Sequence, residues 1–286
     1  MTKKKRNLTI LEIITAVIFL LFLFPFMILL INSAKDAFSI TQYPLAWPEN
    51  WGMIFQNMKS IWTSPNINYP SSFLASIIIT VLSLAAINLF SSQAAWVLVR
   101  NSSKTSKFIF LMFVAAMVIP FQIVMFPLLS WYRAIHNITG IRLLRTHGGL
   151  IFSYLGFGLS LSIFMFHGFI KSIPYELEES ATIDGCGKYQ VFYKIISPLL
   201  SPIHATVLVL NGIWIWNDFL LPLLILGKGN KVQTIPLAVA NFAGAYVKQW
   251  DLILTAILMA IIPIIIFFLS AQRFIIRGML AGSIKC

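Results

Sequence analysis

"YELEESATIDGCGKYQVFYKIISPLLSP" (Tyr175 to Pro202) carries four of the nine acidic residues in a 286-residue chain that is 58% hydrophobic and only 10% charged. Pro174 suits the first turn of a helix, Glu176, Glu178 and Glu179 complement its positive N-terminal end, and Asp184-Gly185 reads as its stop. Beyond the glycine, "KYQVFYKII" sets Val191, Phe192, Ile195 and Ile196 along one apolar edge, and Pro198 and Pro202 break the helix before the next apolar run. The stretch therefore reads as helix, sharp turn, helix. Such a knob has too little apolar area to be a domain and is shaped to press into a partner's groove. Ordinary capping of a polar loop is the plain alternative reading.

On either side of the knob the chain is too apolar for a soluble core, with a mean hydropathy of +0.85 and 24 Phe. A helix needs about 20 mostly apolar residues to cross a bilayer. Six stretches qualify: Leu8 to Ile31, Phe73 to Val99, Phe108 to Trp131, Gly148 to Ile170, Ile203 to Leu226 and Leu252 to Phe274. Each is continuously apolar and long, so each reads as helix rather than barrel strand. The fold expectation is an all-α polytopic membrane protein with six transmembrane helices and the knob, 171–202, between the fourth and fifth. Residues 1–72 form an N-terminal stub, first span and outer segment, 73–274 a transmembrane domain, and 275–286 a C-terminal tail. The first span exceeds signal-peptide length and is followed by no small-x-small cleavage site, so it reads as an uncleaved anchor.

Basic residues set the orientation. With the N-terminus inside, thirteen of the 21 Lys and Arg fall on the inner side, which places both termini and the knob in the cytoplasm. Three arginines between the third and fourth spans run against the bias. The net charge of +12 reads as topology and contact with membrane lipid; no nucleic acid is implied, because no basic stripe carries interleaved aromatics. Cys186 and Cys286 fall on the reducing side, where no disulfide is expected. The four histidines are scattered, no carboxylate stands at ligand spacing, and no phosphate-binding glycine loop occurs, so neither a metal site nor a catalytic residue is expected.

Polar residues inside spans are costly in lipid and mark a possible pathway. Gln122, Asn211, Trp214, Asn217 and Asp218 are the candidates, Asp218 being the only acid well within a predicted span. Asn88 and Gln93, beside Ser91 and Ser92, read as interhelical hydrogen-bonding groups. Pro120 and Pro127 are expected to kink the third span. In the outer segment, Tyr43, Trp47, Trp51, Trp62 and Tyr69 suit an aromatic belt at the membrane surface. A self-contained secondary carrier or channel would need acid or histidine relays and paired broken helices, and only Asp218 answers. A membrane enzyme would need an acid/base pair that is missing.

The order of residues in the knob resembles the E-A-A-x-x-D-G signature, followed by a spaced Phe, Ile and P-L-x-x-P, of binding-protein-dependent ABC importer permeases. Here it stands as Glu179, Ser180, Ala181, Thr182, Ile183, Asp184 and Gly185, then Phe192, Ile195, Pro198, Leu199 and Pro202. Ser180 and Cys186 depart from the usual small residues. "IPFQIVMFPL" (Ile119 to Leu128), "WNDFLLPLLIL" (Trp216 to Leu226) and "QRFIIRGMLAGSIKC" (Gln272 to Cys286) are similar to the maltose-transporter-like, type I branch of sugar importers. The resemblance implies that the knob is a coupling helix centred on Glu179 to Gly185, including Phe192 and Pro198, docked on a separate cytoplasmic ATPase dimer. It implies a tail that approaches the same ATPase through Gln272, Arg273, Arg277 and Gly278. It further implies a second homologous permease, an extracellular solute-binding protein that meets the outer segment, and a carbohydrate, most fittingly an oligosaccharide, as cargo. ATP and Mg would be bound by the ATPase, leaving this chain no cofactor of its own, and the setting would be the bacterial cell membrane.

Overall fold

Apolar runs of this length satisfy their backbone polar groups in hydrocarbon by coiling into helices. The computed structural model describes residues 3–64, 68–227, 232–245 and 249–283, and no strand occurs among them. In chain order the elements are α1 (Lys3–Ser33), α2 (Ala37–Gln42), α3 (Met53–Thr63), α4 (Tyr69–Arg100), α5 (Lys104–Ala116), α6 (Phe121–Thr139), α7 (His147–Ile170) and α8 (Glu176–Ile183). Then α9 (Lys188–Gln190) widens into a π-helical turn over Val191–Ile196 and continues as α10 (Ser197–Leu199). The chain ends with α11 (Ser201–Asn217), α12 (Leu220–Leu226), α13 (Ile235–Ala245) and α14 (Trp250–Ser283).

Among the described residues four helices are long and apolar enough to cross a bilayer: Leu8–Ser33, Tyr69–Arg100, His147–Ile170 and Trp250–Ser270. Two expected spans are not continuous. Phe108 to Trp131 is divided between α5 and α6, which meet at 107°. Pro120 is the cause: it offers no N–H and its ring excludes the carbonyl four residues back, that of Ala116, and it opens α6 with an extended ψ of 137°. Pro127, by contrast, sits inside α6. Ile203 to Leu226 is divided at Asp218, where ψ is 130° and the carboxylate accepts the Leu220 N–H, a local bond that competes with helix. Between Pro198 and Pro202 the chain turns by 75° into α11.

Contacts divide the chain into two units, 1–70 with 238–263 and 71–237 with 264–286. In the first, α1 buries none of its most apolar window, as expected of a helix whose surface faces lipid. The turn after it is pinned by Lys35, whose Nζ donates to Asn32 Oδ1 and the Tyr43 carbonyl, and by Asn57, whose Nδ2 donates to the Ser33 carbonyl. Asp36 caps α2 by accepting the Phe38 and Ser39 N–H groups, and its bonds to Ser39 hold the carboxyl below its ordinary pKa. Tyr43, Trp47, Trp51 and Trp62 are exposed, but Tyr69 is not part of a belt: it is 1% exposed and packs on Trp62 with ring centroids 5.9 Å apart.

In the second unit α7 is central, with Leu150, Tyr154, Ile163, Phe166 and Ile170 fully buried. Gly158 is where neighbours come closest: a Cβ there would strike Ile87 of α4 and crowd Asn211 of α11. Small residues of this kind allow membrane helices to approach.

Candidate coupling surface and intramembrane path

The knob is built as its sequence dictates except at its start, where Pro174 precedes the N-cap Tyr175 and so lies outside the first turn it was expected to open. Glu176, Glu178 and Glu179 occupy the first turn of α8, and Gly185 ends the helix with a φ of +85°. The Cys186 N–H donates to the Ala181 carbonyl and the Gly185 N–H to that of Thr182, the paired bonds of a Schellman cap, in which glycine is favoured because a Cβ resists the left-handed conformation. Ala181 and Phe192 are buried, whereas Glu179, Ser180, Asp184, Gly185 and Pro198 are exposed. The exposed members of the signature thus lie on α8, at its turn and at the start of α10, while the buried members fasten the knob to the bundle.

That fastening has a component the sequence did not reveal. Glu178, 6% exposed, accepts a 2.7 Å bond from Arg100 Nε at the end of α4 and another from Trp96 Nε1. Arg100 Nη2 also donates to the Ile173 carbonyl, and its guanidinium lies 5.5 Å from the centre of the Tyr175 ring. One turn away Trp96 packs against Phe192 at 5.3 Å, and Gln93 Nε2 donates to the Tyr193 hydroxyl. Gln93 thus makes an interhelical bond, as expected, and ties α4 to the π-helical turn. The sequence signal was the i, i+3 pair Glu178 and Ala181 on one face of α8, but Arg100 lies 78 residues away. Ile183, inside the signature, and Tyr189, which the sequence did not single out, are 85% and 82% exposed, two large apolar side chains flanking the turn.

The path candidates separate into groups. Tyr154 of α7 brings two together: its hydroxyl donates to Asp218 Oδ2 at 3.0 Å, and its ring meets Trp214 edge-on at 5.4 Å. Asp218 Oδ1 also accepts the Leu220 N–H, so this carboxylate spends its acceptors on the junction of α11 and α12. Asn211 is buried in the α7–α11 seam, with Nδ2 donating to Ser162 Oγ. Asn217 is exposed and bonds the Ile213 carbonyl, and Gln122 is exposed in the first turn of α6. Asn88 Oδ1 lies 2.8 Å from His204 Nδ1, as a hydrogen-bonding role predicts. A cavity of about 620 Å³ opens beside the α5–α6 break, walled by Met117, Leu128, Trp131, Phe152, Ser153 and Ser160 among others. Trp131 and Phe152 stack in its wall, 6.2 Å apart and 21° from parallel. Gln272 is exposed; at Arg273, Arg277 and Gly278 only the backbone of α14 is described.

A family model for "Binding-protein-dependent transport system inner membrane component" matches residues 87–281. The chain is 39% identical over 282 residues, 99% of its length and 97% of the relative's, to a probable starch degradation products transport system permease protein, AmyC, of Thermoanaerobacterium thermosulfurigenes. It is 32% identical over 283 residues, 99% and 98% of the two chains, to the melibiose/raffinose/stachyose import permease protein MelC of Bacillus subtilis. Among solved structures it resembles a chain of a bacterial ABC transporter involved in the import of the acidic polysaccharide alginate, with a TM-score of 0.76, 21% identity and coverage of 96% and 98%. At that identity the likeness speaks for the fold.

Proposed function

The chain belongs to the family of binding-protein-dependent transport system inner membrane components, and on that premise we propose that it is the permease subunit of an ATP-driven importer of carbohydrate, most fittingly an oligosaccharide. The relatives are named for starch degradation products and for melibiose, raffinose and stachyose, which supports a glycan of a few units as cargo. The observation that carries the mechanism is the knob: α8, Gly185 and the π-helical turn are held on α4 by the part-buried Arg100–Glu178 pair, with Ile183 and Tyr189 left exposed.

In this reading the exposed side of the knob docks on a separate ATPase dimer, Glu179 to Gly185 lie at the centre of the contact, and Pro198 lies where the knob joins the fifth span. Closure of the ATPase pair on ATP displaces the knob. Because the knob is clamped to the inner end of α4 and covalently continuous with α7 and α11, its displacement becomes a tilt of those helices and opens the path alternately to each side. This chain then breaks and forms no covalent bond, and ATP and Mg belong to the ATPase. A second, homologous permease supplies the other half of the path, and an extracellular binding protein delivers the sugar to the outer segment. Both termini and the knob face the cytoplasm. Gln272, Arg273, Arg277 and Gly278 give the tail a second contact with the ATPase.

The test is gentle extraction of the tagged chain from its native membrane, with identification of what accompanies it. Recovery of a second permease and an ATPase whose hydrolysis rises on adding binding protein and one sugar is the expected result. Recovery of the chain alone, with no hydrolysis, would overturn the assignment.

A further inference from the structure

The seventeen residues from Trp131 to His147 hold Arg133, Arg142, Arg145 and two histidines but no acid, and they are the residues that oppose the charge bias between the two faces. The structure gathers all three arginines around one cavity of about 390 Å³, bounded also by His136 and Thr146. Among the described residues no carboxylate lines it. Guanidinium groups carry forked donors, and an anion with several acceptor oxygens is the complement such donors fit. Two other features point the same way. Thr146 is the N-cap of the 24-residue helix α7, so the positive end of that helix meets the cavity. His136, which lines the cavity, has an Nδ1 that is buried without a hydrogen-bond partner among the described residues, and such an atom is satisfied by a polar occupant. Arg145 itself holds a φ of +65°, a backbone state that costs energy for a residue with a Cβ and that concentrates at ligand sites.

The rim of the cavity distinguishes among anions. Ile138 and Ile141 are 84% and 57% exposed where α6 ends and the chain turns toward α7. Large apolar side chains interleaved with arginines at the end of a spanning helix suit the boundary between headgroups and acyl chains rather than open water. The coupling knob follows the opposite end of α7, whose 24 residues measure about 36 Å. We propose that the cavity binds the phosphate of an anionic phospholipid in the leaflet on the face away from the coupling knob, with Arg133, Arg142 and Arg145 holding the phosphate and Ile138 and Ile141 lying among the acyl chains. The proposal is independent of the transport reading, since it concerns this chain and the bilayer alone.

The test releases the full chain from its own membrane in polymer-bounded lipid discs and measures bound lipid by native mass spectrometry. The chain is expected to retain phosphatidylglycerol in preference to zwitterionic lipid. The double variant Arg133→Gln/Arg142→Gln should reduce that preference about 25-fold, or about fivefold for each arginine, the equivalent of about 1 kcal/mol per basic side chain near an anionic surface. Both side chains are exposed, so the fold is expected to survive; Arg133→Lys/Arg142→Lys, which keeps the charge, should retain most of the preference. Inorganic phosphate at tens of millimolar should leave the lipid in place. Equal retention by wild type and the Gln pair, or no preference in the wild type, overturns the site. Displacement by inorganic phosphate overturns the lipid and assigns the cavity to a soluble anion.

Discussion

Gly185 holds a φ of +85°, which a residue bearing a Cβ adopts only at a cost of about 1 to 2 kcal/mol. A Cβ there would meet nothing within 4 Å, so Gly185→Ala changes conformation without crowding; it should assemble normally and show faster backbone exchange through α8 and the turn. Proline is a harsher test, because it fixes φ near −65° and removes the N–H that donates to the Thr182 carbonyl. Gly185→Pro is expected to insert in the membrane and permit ATP hydrolysis while uptake is lost; unchanged uptake in vesicles would refute the coupling role. The Arg100–Glu178 pair follows different physics. Removing one member leaves a buried charge unpaired, at about 3 to 5 kcal/mol, so Arg100→Met should lower the melting temperature of the assembly sharply. In the double variant Arg100→Met/Glu178→Leu, apolar replacement of both should restore most of that stability. A double variant as unstable as the single one would show that Arg100 acts through its bond to the Ile173 carbonyl instead of through the pair.

At the scale of elements, the knob is one body because buried side chains bind its pieces to α4. Phe192 is 3% exposed and lies on Trp96, so Phe192→Ala leaves a cavity costing about 3 kcal/mol where the π-helical turn meets the span. Hydrolysis should then continue while the number of sugars moved per ATP falls, a ratio measurable in reconstituted vesicles; an unaltered ratio would show that the fastening of α8 alone transmits the motion. The helix, the glycine stop and the apolar edge of this element were legible in the sequence because capping, turn conformation and 3.6-residue periodicity are local. The clamp was not, since Arg100 and Glu178 are brought together only by the packing of α4 on the knob. Hydropathy likewise located the apolar stretches but could not divide them. Phe108 to Trp131 remains apolar across the break, and the 107° bend comes from the missing N–H of Pro120, foreseen as a kink and larger than one. At Asp218 the division depends on a carboxylate that caps α12 and also meets Tyr154, a partner 64 residues away.

For the whole molecule, α7 fixes where each end of the second unit must lie relative to the membrane. Its apolar 24 residues give about 36 Å, enough to cross the hydrocarbon, so the chain before His147 and the knob after Ile170 face opposite solutions. The excess of basic residues is the argument for a cytoplasmic knob, against the pull of the three arginines at the other end. Introducing Ile183→Cys or Thr139→Cys in a background with Cys186 and Cys286 changed to Ser tests this with a membrane-impermeant maleimide. Both positions are exposed, and among the described residues the Thr139 hydroxyl bonds the nearby backbone of Ile135 and Ile141. The thiol introduced at position 183 should react in inside-out vesicles, and the one at position 139 only in intact, right-side-out cells. Stripping the ATPase from the vesicles should raise labelling at position 183, since an 85% exposed side chain becomes inaccessible only when a partner covers it. Reversed sidedness would turn the molecule over and remove the knob from any cytoplasmic ATPase. Correct sidedness without protection at position 183 would keep the topology but displace the docking surface from the tip of α8.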